Sequence, residues 1–128
     1  MAQDPGPEVY LFYVWLRRIN PLIWRRLLVR ADSTLADLHH IIQIAFSWTD
    51  FNLHRFRLRK KDFAVPRIAG LPGAHDARQV TLGELHFRIN EHFLYEYDFG
   101  DRWKHEVRVE KIVRSCFRSV LSLECTPC

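Results

Sequence analysis

Apolar and polar positions alternate with period two along most of this chain, and once the period lengthens to that of a helix. Positions 9–16 are rich in β-branched and aromatic residues and predict a strand. Asn20-Pro21 interrupts the ladder, because proline has no N–H to give it. Positions 22–29 resume as a second strand, antiparallel to the first. Leu35, Leu38, Ile41, Ile42, Ala45 and Phe46 then recur at helical spacing, so positions 34–46 predict an amphipathic helix. Asp32-Ser-Thr34 supplies its N-cap, and Asp37 lies in the first turn, where the helix dipole favours a carboxylate. Trp48-Thr-Asp50 is the turn out of it.

Alternation returns at positions 53–59. His54, Phe56 and Leu58 face one way, and Arg55, Arg57 and Arg59 the other. Lys60-Lys-Asp62 turns the chain into a short strand at 63–65, and positions 66–78 read as a loop. Thr81 caps a short helical turn at 82–85, with Glu84 at the capping-box position. A long hairpin follows at 93–110. Phe93, Tyr95, Tyr97 and Phe99 share a face of its first arm, and Trp103, His105, Val107 and Val109 share a face of its second. Gly100-Asp101 is the turn, with Asp98 and Asp101 at the tip. These elements predict an α+β fold: an amphipathic helix packed on a mainly antiparallel sheet, with a long C-terminal hairpin.

With 128 residues there is room for one core. The expected layout is a flexible leader at 1–8, a single domain at 9–112 and an atypical tail at 113–128. An apolar fraction of 48% suits a packed protein rather than a disordered one. No apolar run reaches the ~18 residues of a membrane span, and the leader lacks the pattern of a signal peptide. The cytoplasm is the default compartment, where Cys116, Cys125 and Cys128 stay reduced. Cys125-Thr-Pro-Cys128 has C-x-x-C spacing, but the second pair that a closed zinc site needs is missing. No metal and no cofactor are expected.

Candidate chemistry is confined to a few residues. His39, His54, Asp98, Asp101 and His105 are the right groups for a metal-dependent hydrolase or nuclease. Against that reading, no histidine pair has ligand spacing, and His39 and His40 point about 100° apart on a helix. His54 and His105 lie on apolar strand faces, where a histidine satisfied by one hydrogen bond is the commoner case. Asp98 and Asp101 suit turn closure through side chain to backbone bonds. Trp15, Trp24, Trp48 and Trp103 fit a core. The net charge of +4 gives the better partner signal. Arg55, Arg57 and Arg59 run into Lys60 and Lys61, which together make a candidate nucleic-acid surface; Arg17, Arg18, Arg25, Arg26 and Arg30 add charge on the first hairpin. The bland alternative is a solvated sheet face kept from edge aggregation by charge.

Three segments carry a resemblance. Asn20-Pro-Leu-Ile-Trp-Arg-Arg-Leu-Leu-Val29 is similar to a P-x-I-W-R-R strand. Thr34-Leu-Ala-Asp-Leu-His-His-Ile-Ile-Gln43, followed by Trp48-Thr-Asp50 and Leu53-His-Arg-Phe56, is similar to T-L-x-x-L-H-x-x-I-Q, G-W and H-L-H-x-F in succession. Tyr95-Glu-Tyr-Asp-Phe-Gly-Asp-Arg-Trp-Lys-His105 is similar to Y-x-Y-D-F-G-D-x-W-x-H. In order and spacing these resemble the Ri-plasmid Orf-three-like family, carried by plasmids and transposable elements and sometimes labelled TnpR-like. The resemblance implies an α+β protein without an established activity. It does not imply recombination: a serine recombinase needs a nucleophilic serine among arginines on a doubly wound domain, and no such arrangement is legible. Ser47 stands where the family usually has glycine, and Asn52 replaces one histidine of H-L-H. Family members continue into a Cys- and Pro-rich segment that positions 115 onward do not resemble, so a truncated or frame-shifted end is expected. The resulting expectation is a non-catalytic binding or interaction module of mobile elements, contacting nucleic acid through a basic sheet face. The alternatives are the His/Asp hydrolase or nuclease and a protein-interaction or structural module; a membrane partner is not expected.

Overall fold

The computed structural model describes residues 8–67 and 72–114. In chain order the elements are β1 (Glu8–Leu16), β2 (Trp24–Arg30), α1 (Leu35–Ala45), β3 (His54–Leu58), β4 (Lys61–Ala64), β5 (His75–Asp76), 3-10 turns at Ala77–Gln79 and Gly83–Leu85, β6 (His92–Tyr97) and β7 (Trp103–Arg114). All seven strands join one sheet in the order β2-β1-β7-β6-β3-β4-β5. Neighbours are antiparallel except β4 and β5, which run parallel.

The expected α+β arrangement of a helix on a mainly antiparallel sheet is therefore corrected. This is a mixed, seven-stranded sheet protein with a single eleven-residue α-helix among its described residues. Two physical reasons account for the difference. β5 lies inside the stretch read as a loop, and a two-residue strand has no alternation to reveal it. The helix also closes only part of the inner face. The rest is sealed by the irregular segment after β5, which buries Ala77, Leu82 and Phe87.

The inner face is the core. Tyr10, Phe12 and Val14 of β1 meet Val107 and Val109 of β7, Phe93 and Tyr95 of β6, and Phe56 and Leu58 of β3, all buried. From above, α1 adds Leu35, Leu38 and Ile42, also buried. Phe87 stacks on Phe93 at 5.3 Å and meets Phe12 edge-on at 5.8 Å. Each such side chain contributes about 1.5–3 kcal/mol through burial.

Both ends of α1 are specified locally. Thr34 Oγ1 accepts from Asp37 N–H at 3.0 Å, and Asp37 Oδ2 accepts from Thr34 N–H at 2.9 Å, a reciprocal capping box. At the other end Trp48 N–H donates to Gln43 O at 2.8 Å and Ser47 N–H to Ile44 O at 3.2 Å, the pattern of a Schellman motif. That motif needs a left-handed residue, and Ser47 supplies it with φ 60°. Glycine would take that conformation without the strain a Cβ brings. Asp50, three residues on, is left-handed too, at φ 58°.

The outer sheet face carries Tyr13, Trp15, Trp24, Arg26, Arg55, Arg57, Lys104, Glu106, Arg108 and Glu110. The register places Trp15 beside Trp24 and Tyr13 between Arg26 and Arg108. The described α-helix lies on the opposite face, where its Gln43 bonds Tyr95.

Candidate functional site

Under the C-terminal half of α1, helix, turn and strand converge on a buried polar cluster. His39 and Gln43, four residues apart, project from one helix face onto Tyr95 of β6. His54 opens β3 with its ring stacked on His39, centroids 3.6 Å apart and 18° from parallel. The left-handed turn delivers Asp50 to the rim. Gln43 Nε2 donates to Tyr95 Oη at 2.8 Å, Tyr95 O–H then donates to His39 Nδ1 at 2.6 Å, and His39 Nε2–H donates to Asp50 Oδ1 at 3.0 Å. This direction of donation follows from the bonds each group can make. Arg67, following β4, closes the chain with Nη2 at 2.6 Å from the same carboxylate oxygen. His54 Nε2 accepts from Val65 N–H at 3.1 Å, which leaves its Nδ1 buried without a partner.

Burial dominates the electrostatics. It pushes His39 down to about 4, with Asp50 pulling the other way, and His54 down to about 3, with a further push from His39. Both rings are neutral at pH 7, as a face-to-face imidazole stack requires. Burial also raises the Tyr95 hydroxyl well above its usual value. His105 lies on the other side of Tyr95. Its Nδ1–H donates to Tyr95 O at 3.0 Å, its Nε2 accepts from Trp48 Nε1–H at 3.1 Å, and burial lowers it to about 4.

The two aspartates of the hairpin stand apart from this cluster. Asp98 Oδ1 accepts from Gly100 and Asp101 N–H at 3.2 and 3.4 Å and so closes the turn, while Asp101 is exposed. Phe99 leaves the face of Tyr95 and Tyr97 and lies under the Arg55 guanidinium at 5.6 Å.

Arg55, Arg57 and Arg59 each meet a carboxylate. Arg55 pairs with Glu96 at 3.1 Å and Asp62 at 3.5 Å, and Arg57 with Asp62 at 3.1 Å. Arg59 is left-handed, φ 51°, and the turn swings it away to Glu91 at 2.7 Å. Lys60 and Lys61 are exposed at that turn. A second array lies nearer the β1–β2 edge. Tyr13 is 5.3 Å from Trp15 and 5.7 Å from Trp24. Arg26 sits 5.2 Å from both the Tyr13 and Trp24 centroids, and Arg108 lies 5.6 Å from Tyr13.

Residues 8–125 match the plasmid pRiA4b ORF-3-like protein family. The chain belongs to that family. An uncharacterized protein, y4hQ, from Sinorhizobium fredii (strain NBRC 101917 / NGR234) is 35% identical over 99 residues, which are 77% of this chain and 51% of the relative. The crystal structure of a protein of unknown function, MM3350 from Methanosarcina mazei Go1, aligns with a TM-score of 0.74 at 32% identity, covering 86% of this chain and 64% of that one. This pRiA4b ORF-3-like chain thus spans about half the length of the first relative and under two thirds of the second. The family is plasmid-associated, and no activity accompanies these names. No helix among the described residues is long and apolar enough to cross a membrane.

In this family member, two of the resembling segments meet in the buried cluster: His39, Gln43 and His54 come from one and Tyr95 from the other, while Trp48 and His105 bond to each other beside it. Of the five candidate catalytic residues, His39 and His54 touch; Asp98, Asp101 and His105 do not join them. Asp50, Arg67, Gln43 and Tyr95 complete the cluster and were not singled out from sequence. Asp50 had a signal, since it lies in the turn that returns the chain from His39 to His54. Arg67 had none, as it stands in a loop without periodicity. The atypical tail, with Cys116, Cys125 and Cys128, lies outside the described residues from position 115 on; β7 itself runs to Arg114. The leader at positions 1–7 lies outside them too.

Proposed function

We propose that this chain is a non-catalytic binding module and that nucleic acid docks on its outer sheet face. The observation that carries the reading is the array of Tyr13, Trp15 and Trp24, with the Arg26 guanidinium against the Tyr13 and Trp24 rings and that of Arg108 against Tyr13. Aromatic faces beside arginines supply both things a nucleic-acid strand needs, a surface for bases and charge for phosphates. Arg55 and Arg57 extend the charge along the same face. The net charge of +4 and the plasmid association of the family fit such a partner, met in the cytoplasm of a host carrying mobile elements.

The ion pairs set the terms of binding. Arg26 holds Glu110 at 2.9 Å and Arg57 holds Asp62 at 3.1 Å, so a phosphate must displace a carboxylate at each. Arg108 donates to the neutral Asn90 Oδ1 at 3.3 Å and is the readiest phosphate contact. Binding is therefore weak, insensitive to sequence and steeply salt-dependent. Three phosphates neutralised on a single strand give a slope of about −2 in log K against log salt, and about −2.7 on duplex.

Tryptophan fluorescence titration with an oligonucleotide at low salt tests this. Arg108→Glu and Arg57→Glu should weaken all sequences alike and flatten the slope by roughly one phosphate each. Trp103→Ala, a partly buried core position, should lower stability instead. Absence of binding at micromolar protein, or binding indifferent to salt and to Arg108→Glu, refutes the proposal and leaves a protein-interaction module as the better reading.

A further inference from the structure

We propose that His39, Asp50 and His54 form a binding site for one divalent transition-metal ion of the zinc class. One ligand atom from each lies within 4.8 Å of the other two, and His39 Nε2 and Asp50 Oδ1 are 3.0 Å apart. A tetrahedral ion with bonds of about 2.0–2.1 Å spaces its donor atoms about 3.3 Å apart, so the widest gap closes by about 1.5 Å. Two imidazoles and a carboxylate suit zinc, cobalt, nickel or ferrous iron. The absence of a repeated ligand spacing led to the opposite expectation from sequence, because Asp50 belongs to a turn and was not in the candidate set.

Two further observations point to the same place. His54 is 2% exposed, and its Nδ1 has no partner, an unusual cost for a buried ring nitrogen. Asp50 is held by Arg67, which supplies the positive charge that an ion would otherwise bring. Asp50 and Arg67 are each about a third exposed, so they also mark the entry route. Guanidinium and ion compete for one carboxylate, because Arg67 Nη2 already holds Asp50 Oδ1.

Binding rearranges protons without moving net charge. Turning the Gln43 amide over lets Tyr95 O–H donate to Gln43 Oε1. The Tyr95 oxygen then accepts His39 Nδ1–H, and His39 Nε2 becomes a bare lone pair beside Asp50. Gln43 has one unpaired atom before and after, since its Oε1 is now without a donor. His54 carries its proton on Nε2, releases Val65 N–H and ligates through Nδ1. Leaving that backbone donor unpaired lowers affinity about ten- to hundredfold. The stacked rings splay so that their nitrogens aim at one point. The ion then ties α1, the turn after it and β3 together, with a fourth coordination position open.

Cobalt(II) added to the untagged full-length chain is the probe. One equivalent should bind with visible d–d absorption and without the near-ultraviolet charge-transfer band of thiolate ligands, which separates this site from the three cysteines. Asp50→Asn and His54→Ala should abolish the signal, with thermal melts confirming that each variant is folded. Arg67→Met should tighten binding by tenfold or more, because it removes the competing cation. A merely structural cluster responds in neither direction. No one-to-one binding, a thiolate spectrum, or binding unchanged by Asp50→Asn and Arg67→Met overturns the proposal.

Discussion

Lowering the pH of the metal-free chain from 7 to 5 should lower its stability steeply, and the histidines should account for it. His39, His54 and His105 are each at most 2% exposed, and burial lowers them to about 4, 3 and 4. In the unfolded chain each titrates near 6.5. Above that value both states are neutral and no term arises. As the pH falls through 6.5 the unfolded chain takes up protons that the folded chain refuses, so stability falls, and the loss saturates only below the folded values. At pH 5 each ring costs about 2 kcal/mol, or roughly 6 kcal/mol for three, against a typical total of 5–15 kcal/mol. Asp50 opposes the effect at His39, while His40 and Arg67 reinforce it. Carboxylates held low by arginine partners, such as Asp32, Asp76 and Glu91, lose their contribution at lower pH and leave this window to the histidines. Urea titrations at pH 7.5, 6.5, 5.5 and 5.0 with a chelator present measure the slope. His105→Gln keeps a donor for Tyr95 O and an acceptor for Trp48, so it should reduce the slope by about one third. A stability that is flat to within about 1 kcal/mol between pH 7 and 5 refutes the reasoning, because it means the rings take up protons without unfolding.

Two other outcomes follow from the ends of α1. Ser47→Gly should raise stability by about 0.5–1 kcal/mol, since φ 60° strains serine and not glycine; chemical denaturation of the two chains side by side decides it, and a loss of stability counts against the Schellman assignment. Thr34→Ala should cost about 1–2 kcal/mol, because it removes the acceptor for Asp37 N–H and half of the capping box, with a lowered urea midpoint at unchanged slope as the readout.

Local signals in this chain were legible wherever neighbouring residues decide the structure. The N-cap at Thr34 with Asp37 in the first turn, the reciprocal bonds between Thr81 and Glu84, and the alternation of His54 to Leu58 and of Phe93 to Tyr97 each depend on groups a few positions apart. Sheet order was not legible. β7 inserts between β1 and β6 because residues almost a hundred positions apart pair, Tyr13 with Arg108 for example, and alternation alone does not say which strand a face will meet. Left-handed residues broke the simple extrapolation of faces. Arg59 continues the arginine parity on paper, yet the turn at Arg59 and Lys60 carries it to Glu91, so the expected stripe loses one member.

The candidate site divides in the same way. His39 and His54 were selected by residue type, and strand and helix parity put both on inner faces. What makes them a cluster is supplied by irregular backbone: Asp50 from a left-handed turn and Arg67 from the segment after β4. The same turn begins with Ser47, so helix capping, ligand delivery and the return to β3 are one piece of geometry spanning positions 46–54. A change that relaxes Ser47 should therefore alter the approach of Asp50 to His39 and His54 as well as stability. Cobalt(II) affinity measured on Ser47→Gly couples the two. If the turn is a rigid delivery device, affinity and stability should rise together, because the glycine lowers the strain of the ligand-bearing conformation. If stability rises while affinity falls, the strain at Ser47 is what holds Asp50 toward the rings, and the serine belongs to the site rather than to the helix end.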